Sequence, residues 1–153
     1  MTTSSPTQLL SSLSTLLRSY SFNFRDELDL HDSLEQVMVA GGFKVEREVR
    51  LGAKDRIDFM VRGNNGESSA SFAPLFHAHR DDFVAHEKDD GWEVGVEVKV
   101  KASVANVERQ LKRYAEHGRV GGLLVVSCGV QLMRLPEEIG GKPVRVAILS
   151  DTI

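Results

Sequence analysis

Three side chains in this sequence are spaced to do chemistry together: Asp58, Glu97 and Lys99. From Trp92 to Lys101 the valines alternate with other residues. In a strand, Val94, Val96, Val98 and Val100 therefore share one face, and Glu97 and Lys99 project together from the other. In Ile57-Asp58-Phe59-Met60-Val61, the residues Ile57, Phe59 and Val61 take the apolar side and leave Asp58 facing the opposite way. Asp58 lies five residues before Gly63, and Glu97 lies five residues after Trp92. An antiparallel hairpin closing at those two ends sets Asp58 level with Glu97.

Two adjacent carboxylates repel and desolvate one another, so such a pair calls for a cation. Carboxylate, backbone carbonyl and water oxygens form a hard donor set suited to Mg²⁺, with Mn²⁺ as a substitute. Such an ion polarises a phosphoryl oxygen and generates a hydroxide-like nucleophile. Lys99 beside it can orient the attacking water or stabilise developing negative charge. The competing reading makes Glu97 and Lys99 a solvated strand face with an incidental ion pair.

These residues need a scaffold, and the periodicities supply one. Leu9, Leu10, Leu13, Leu16, Leu17 and Tyr20 recur at helical spacing after Ser5-Pro6. A second helix is expected from about Arg25 to Ala40, with Leu30, Leu34, Val37 and Met38 inward and Gly41-Gly42 at its end. On that helix Glu35 either completes the metal site from the edge or is a surface glutamate. Strands are expected over Phe43–Leu51, Arg56–Arg62, Trp92–Lys101, Gly122–Cys128 and Val144–Ser150, with a short helix or turn before the last. Between the second and third strands, residues 63–91 read as an insertion at the hairpin tip, opened by the turn signal Gly63-Asn64-Asn65-Gly66.

A helix from Ser103 to His117, capped by Ser103, follows the Glu97/Lys99 strand directly. It sets Gln110 and Tyr114 on one face, with Val104, Val107, Leu111 and Ala115 forming the opposite, buried stripe. Gln110 and Tyr114 can hydrogen-bond phosphates, and a tyrosine can stack on a base; alternatively Tyr114 is a half-buried anchor. The strand–helix–strand unit over 92–128 implies a parallel pair. The whole is an α/β chain: a mixed sheet flanked by helices, with an extra N-terminal helix in residues 1–24.

In this order, the motifs resemble the PD-(D/E)XK nuclease superfamily, whose restriction-endonuclease-like core runs αβββαβ. Glu35 falls in the first core helix, Ile57-Asp58 on the second strand and Glu97-Val98-Lys99 on the third. Gln110-Leu111-Lys112-Arg113-Tyr114 is similar to the QxxxY motif of the RecB-like and lambda-exonuclease-like branch. The resemblance covers roughly residues 26–128. Ile57 stands where the naming proline is usual, and the insertion leaves Asp89 or Asp90 as rivals to Asp58.

The resemblance implies that Asp58 and Glu97 ligate the metal, with the Val98 carbonyl and Glu35 as further ligands and Lys99 assisting the water. It also implies that Gln110 and Tyr114 hold the nucleic-acid backbone, with Lys101, Arg109, Lys112 and Arg113 as phosphate contacts. The expected activity is Mg²⁺-dependent hydrolysis of DNA, RNA not being excluded. One alternative is a catalytically weak or inactive nuclease-fold protein that binds or scaffolds nucleic acid. The other is a ribonuclease or structure-specific nuclease of the same superfamily.

The remaining features bound these readings. The 153 residues suit a single domain, and 41% hydrophobic content is too high for a disordered chain. No stretch approaches the ~20 apolar residues of a spanning helix, and no secretory signal is apparent, so a cytoplasmic protein without membrane partners is expected. A lone cysteine, Cys128, excludes a disulfide framework and a multi-cysteine zinc site. The net charge of −3 conceals two basic stretches, 44–62 and 93–119, each with six basic and four acidic residues. Both hold the proposed site. His77, His79 and His86 have no zinc-hydrolase spacing and read as incidental, and Phe72–Phe76 reads as an apolar patch docking on the domain. A dimer is compatible with the sequence, which fixes no oligomeric state.

Overall fold

The computed structural model describes residues 5–63 and 93–150. Most of the inferred insertion, with the His77/His79/His86 group, the Phe72–Phe76 patch and the rivals Asp89 and Asp90, lies outside them.

The described residues are mixed α/β, with six strands in one sheet and three α-helices. The elements run α1 (Pro6–Arg18), α2 (Glu27–Ala40), β1 (Lys44–Arg50), β2 (Arg56–Arg62), β3 (Glu93–Lys99), α3 (Val104–Ala115), β4 (Gly122–Ser127), a 3₁₀ turn (Val130–Arg134), β5 (Glu138–Ile139) and β6 (Lys142–Ile148). The strand order is β1-β2-β3-β4-β6-β5. β1, β2 and β3 form an antiparallel meander, β4 pairs parallel with β3 and β6, and β5 runs antiparallel to β6.

α1 starts at a capping box: the Ser5 hydroxyl accepts from the Gln8 N–H, and the Gln8 side chain accepts from the Ser5 N–H. Its buried stripe of Leu9, Leu10, Leu13 and Leu17 lies across β6, β4 and β3. The helix stops at Arg18, so Tyr20, expected on that stripe, stands outside it and is exposed. α1 and α2 cover one side of the sheet through Phe59, Val61, Val94, Val96 and Val98. α3 covers the other, where Val107, Leu111, Tyr114 and Ala115 meet Leu123 and Val125. The β3 valines therefore face one core, as their alternation requires. At its far end the β2–β3 ladder closes on the rung Arg62–Glu93, where buried Glu93 pairs with both Arg62 and Arg119.

The β1–β2 hairpin departs from simple alternation. Arg47 pairs with Phe59 and Val49 with Ile57, but Glu48 and Asp58 between them do not pair. Glu48 has φ 51, the left-handed region that a non-glycine residue rarely adopts. Below this point Phe59 faces the α1/α2 core; above it Ile57 and Val49 face the α3 core. Ile57, expected beside Phe59, is thus on the opposite side of the sheet. Both strands exchange faces together, and register is kept on either side of the kink.

Candidate active site

The kink delivers Asp58. The β2–β3 ladder ends at Phe59–Val96, so Asp58 and Glu97 lie one step beyond the last rung. There the Asp58 carboxylate, not a β2 carbonyl, accepts the Val98 N–H at 2.8 Å. In a strand the N–H and C=O of one residue point to the same side, so the Val98 carbonyl borders the same gap. Glu97 is buried, and its Oε1 receives Lys99 Nζ at 2.8 Å and Gln110 Nε2 at 2.9 Å. The structure thus brings Asp58, Glu97, Val98 and Lys99 together where β2 and β3 part.

Electrostatics follow from that burial. Desolvation pushes the Glu97 carboxyl up to about 7; the Asp58 charge adds to this, and Lys99 opposes it. Asp58 is also raised, chiefly by desolvation and against the Val98 N–H. Burial draws Lys99 down, but the carboxylates around it, Glu97 first and then Asp58 and Glu27, together outweigh this and raise its pKa. Among the described residues, only Glu97 Oε2 and His31 Nε2 are buried side-chain polar atoms without a hydrogen-bond partner. Both flank Asp58, and His31 Nε2 lies 3.7 Å from Asp58 Oδ2, beyond a hydrogen bond.

Glu35 is elsewhere. Its carboxylate receives Arg47 Nη1 at 3.1 Å, and Asp32 shares the same guanidinium, which lies over the Phe59 ring. α2 instead presents Glu27 and His31 to the site, with Glu27 Oε2 3.5 Å from the Val100 nitrogen. His31 was legible in principle: a polar residue one heptad before Met38, inside the apolar stripe with Leu30 and Leu34.

Tyr114 also differs from expectation. It is 1% exposed, inside the α3 core, so its ring offers nothing for a base or phosphate to touch. Its hydroxyl donates to the Arg56 carbonyl at 2.8 Å and accepts from Gln110 Nε2 at 2.6 Å. One amide N–H₂ of Gln110 therefore spans Tyr114 and Glu97, and the pair braces the carboxylate from behind. Arg109, Lys112 and Arg113 are exposed on α3, where they meet Asn106, Glu108 and Asp55, respectively. Lys101 is exposed just past β3. No family model, curated protein or solved structure matches this chain. The site therefore stands on its own chemistry.

A divalent cation fits this chemistry: two carboxylates, one with an unpartnered buried oxygen, beside a backbone carbonyl. Among the described residues, no group of three or more His, Cys, Asp or Glu side chains is arranged to hold a metal ion. Two carboxylates beside a backbone carbonyl could offer an ion only oxygen donors, which are hard donors.

Two consequences are testable on the folded chain. Tyr114→Phe removes the bond to the Arg56 carbonyl and frees Gln110; urea unfolding is expected to show a loss of about 1–2 kcal/mol. At Glu48, Gly is expected to retain the kink and match or exceed wild-type stability. Val, which resists positive φ, is expected to cost roughly 1–3 kcal/mol and to weaken Mn²⁺ binding by calorimetry. Equal Mn²⁺ affinity in the two variants would separate the kink from the site.

Proposed function

We propose that this chain is a metal-dependent nuclease of restriction-endonuclease-like fold that hydrolyses DNA phosphodiester bonds. The observation that carries this reading is Glu97: a buried carboxylate with one free oxygen, beside Asp58 and under a lysine. Evolved cores rarely keep a raised, half-satisfied carboxylate without use, because an uncompensated buried charge is costly. The antiparallel β1–β2–β3 meander, followed by α3 and parallel β4, agrees with the αβββαβ order of the PD-(D/E)XK superfamily.

In this reading Asp58, Glu97 and the Val98 carbonyl hold Mg²⁺ or Mn²⁺. The bound ion supplies charge neutralisation at the phosphoryl oxygens and lowers the pKa of water. Asp58 is held by the Val98 N–H, and Glu97 by Gln110 with Tyr114 behind it, so both ligands are oriented before substrate arrives. Lys99 is 23% exposed in its side chain, against 3% for Glu97. Its ammonium therefore reaches from the buried carboxylate toward solvent, where it orients the attacking water and stabilises charge on the phosphate.

The deciding experiment incubates the protein with circular single-stranded, linear duplex and branched DNA and with RNA, each with Mg²⁺, Mn²⁺ or EDTA. Divalent-dependent cleavage of DNA is expected, and preferential cleavage of RNA would change the substrate class. Binding without cleavage under every condition would favour a scaffolding protein.

A further inference from the structure

We infer that the turn joining β1 and β2, together with the exposed side of α3, forms a track for the phosphodiester backbone of the bound nucleic acid. The inference deepens the nuclease reading and rests on it.

The turn is fixed to α3. Asp55 Oδ1 accepts from Arg113 Nε at 3.1 Å, and Asp55 Oδ2 lies 3.2 Å from His117 Nε2. Gly52 packs against the imidazole of His117, where an added Cβ would stand 2.9 Å from Cε1. Across the turn, the Leu51 N–H donates to the Asp55 carbonyl at 2.9 Å. The Tyr114–Arg56 bond completes the attachment. Side chains borne here are presented from a rigid base, so little backbone freedom is lost on binding.

What the turn presents is positive charge. Arg50 and Lys54 are exposed, as is Arg56, which pairs with Glu48 at 3.3 Å, and a concave depression of about 160 Å³ opens among them and Gly52. Arg50 and Lys54 reach no carboxylate among the described residues, whereas the one acid of the turn, Asp55, is occupied by Arg113 and His117. The small residues Gly52 and Ala53 add no apolar anchor. A surface of this kind suits a backbone of evenly spaced anions better than a peptide, which would need pockets for side chains.

The turn is also tied to the site through part-buried hydrogen bonds. Glu97 bonds Gln110, Gln110 bonds Tyr114, and Tyr114 bonds the Arg56 carbonyl. On α3, Arg109 and Arg113 lie one turn apart, about 6 Å along the helix axis. A strand with one phosphate at Lys99 thus meets cations of α3 and then of the turn. Because these contacts address phosphate and no base edge, they are expected to strengthen binding equally for unrelated sequences.

The test uses the full chain carrying Glu97→Gln, so that binding is read without cleavage. Fluorescence anisotropy with labelled single-stranded and duplex DNA, titrated over a range of salt, gives the slope of log K against log [salt]. Adding Arg50→Gln and Lys54→Gln is expected to weaken binding several-fold on every sequence. It should also lower the slope by about 1.4 on single strands and about 1.8 on duplex, the loss of two phosphate contacts. Arg18→Gln, on α1 away from this surface, is expected to leave the slope unchanged. Firm binding with an unaltered slope in the Arg50/Lys54 variant would overturn the track and leave the nuclease reading intact. If the Glu97→Gln parent binds no nucleic acid while wild type cleaves none, the two fall together.

Discussion

Glu97→Gln and Lys99→Ala are each expected to lower divalent-dependent cleavage by roughly 10³-fold or more, the scale on which preorganised charge stabilisation contributes to catalysis. The two substitutions should part company in stability. Glu97 is buried, shifted up to about 7, and left with an unpartnered oxygen. Gln keeps the shape and removes the charge, so at pH 8 without metal its Tm is expected to rise by several degrees. Lys99→Ala withdraws the cation 2.8 Å from the same carboxylate, so at pH 8 its Tm is expected to fall. Loss of activity with gain of stability at position 97 marks a group kept for chemistry. Thermal unfolding beside the cleavage assay checks both signs. A Glu97→Gln protein that keeps cleaving would remove this residue from the reaction.

The second large effect is on proton linkage. The folded-state value for Glu97, about 7, lies above the ordinary 4.5. Folding thus favours its neutral form. Its contribution to stability is complete below about pH 4.5 and is lost as pH rises through about 7. Asp58 is shifted in the same direction. The metal-free protein is therefore expected to lose stability from Glu97 across that window, with Asp58 acting in the same direction. A divalent ion needs the carboxylate ionised, so its binding near pH 6 should release close to one proton. Apparent Mn²⁺ affinity should climb about tenfold per pH unit below 7 and level off above it. Calorimetry in buffers of different ionisation enthalpy reads the proton directly. No proton release at pH 6 would show that Glu97 is ionised before the ion arrives.

The level of 58 against 97 was legible from the two hairpin ends alone, which give the register of the Phe59–Val96 rung, whereas simple alternation put Ile57 on the wrong side of the sheet. Ser103 as a cap was equally local, and its hydroxyl accepts the Asn106 N–H. What the sequence hid arises from contacts between distant segments. Tyr114 sits at the edge of the α3 stripe and is buried in the α3 core, where the start of β2 offers its hydroxyl the Arg56 carbonyl. Glu35 looked like a ligand by residue type, yet Arg47 on β1 claims it, while His31, one turn earlier, faces Asp58. The face exchange at Glu48 has no compositional mark, since glutamate is not a residue that announces positive φ.

The rung between Arg62 and Glu93 has a consequence of its own. The two residues are neighbours across the sheet, and Glu93 is held from both sides by guanidinium groups. The sheet is therefore sealed at the points where residues 64–92 leave it and rejoin it. A double guanidinium clamp of this kind fastens β2 to β3 at the end of the ladder opposite the cleft.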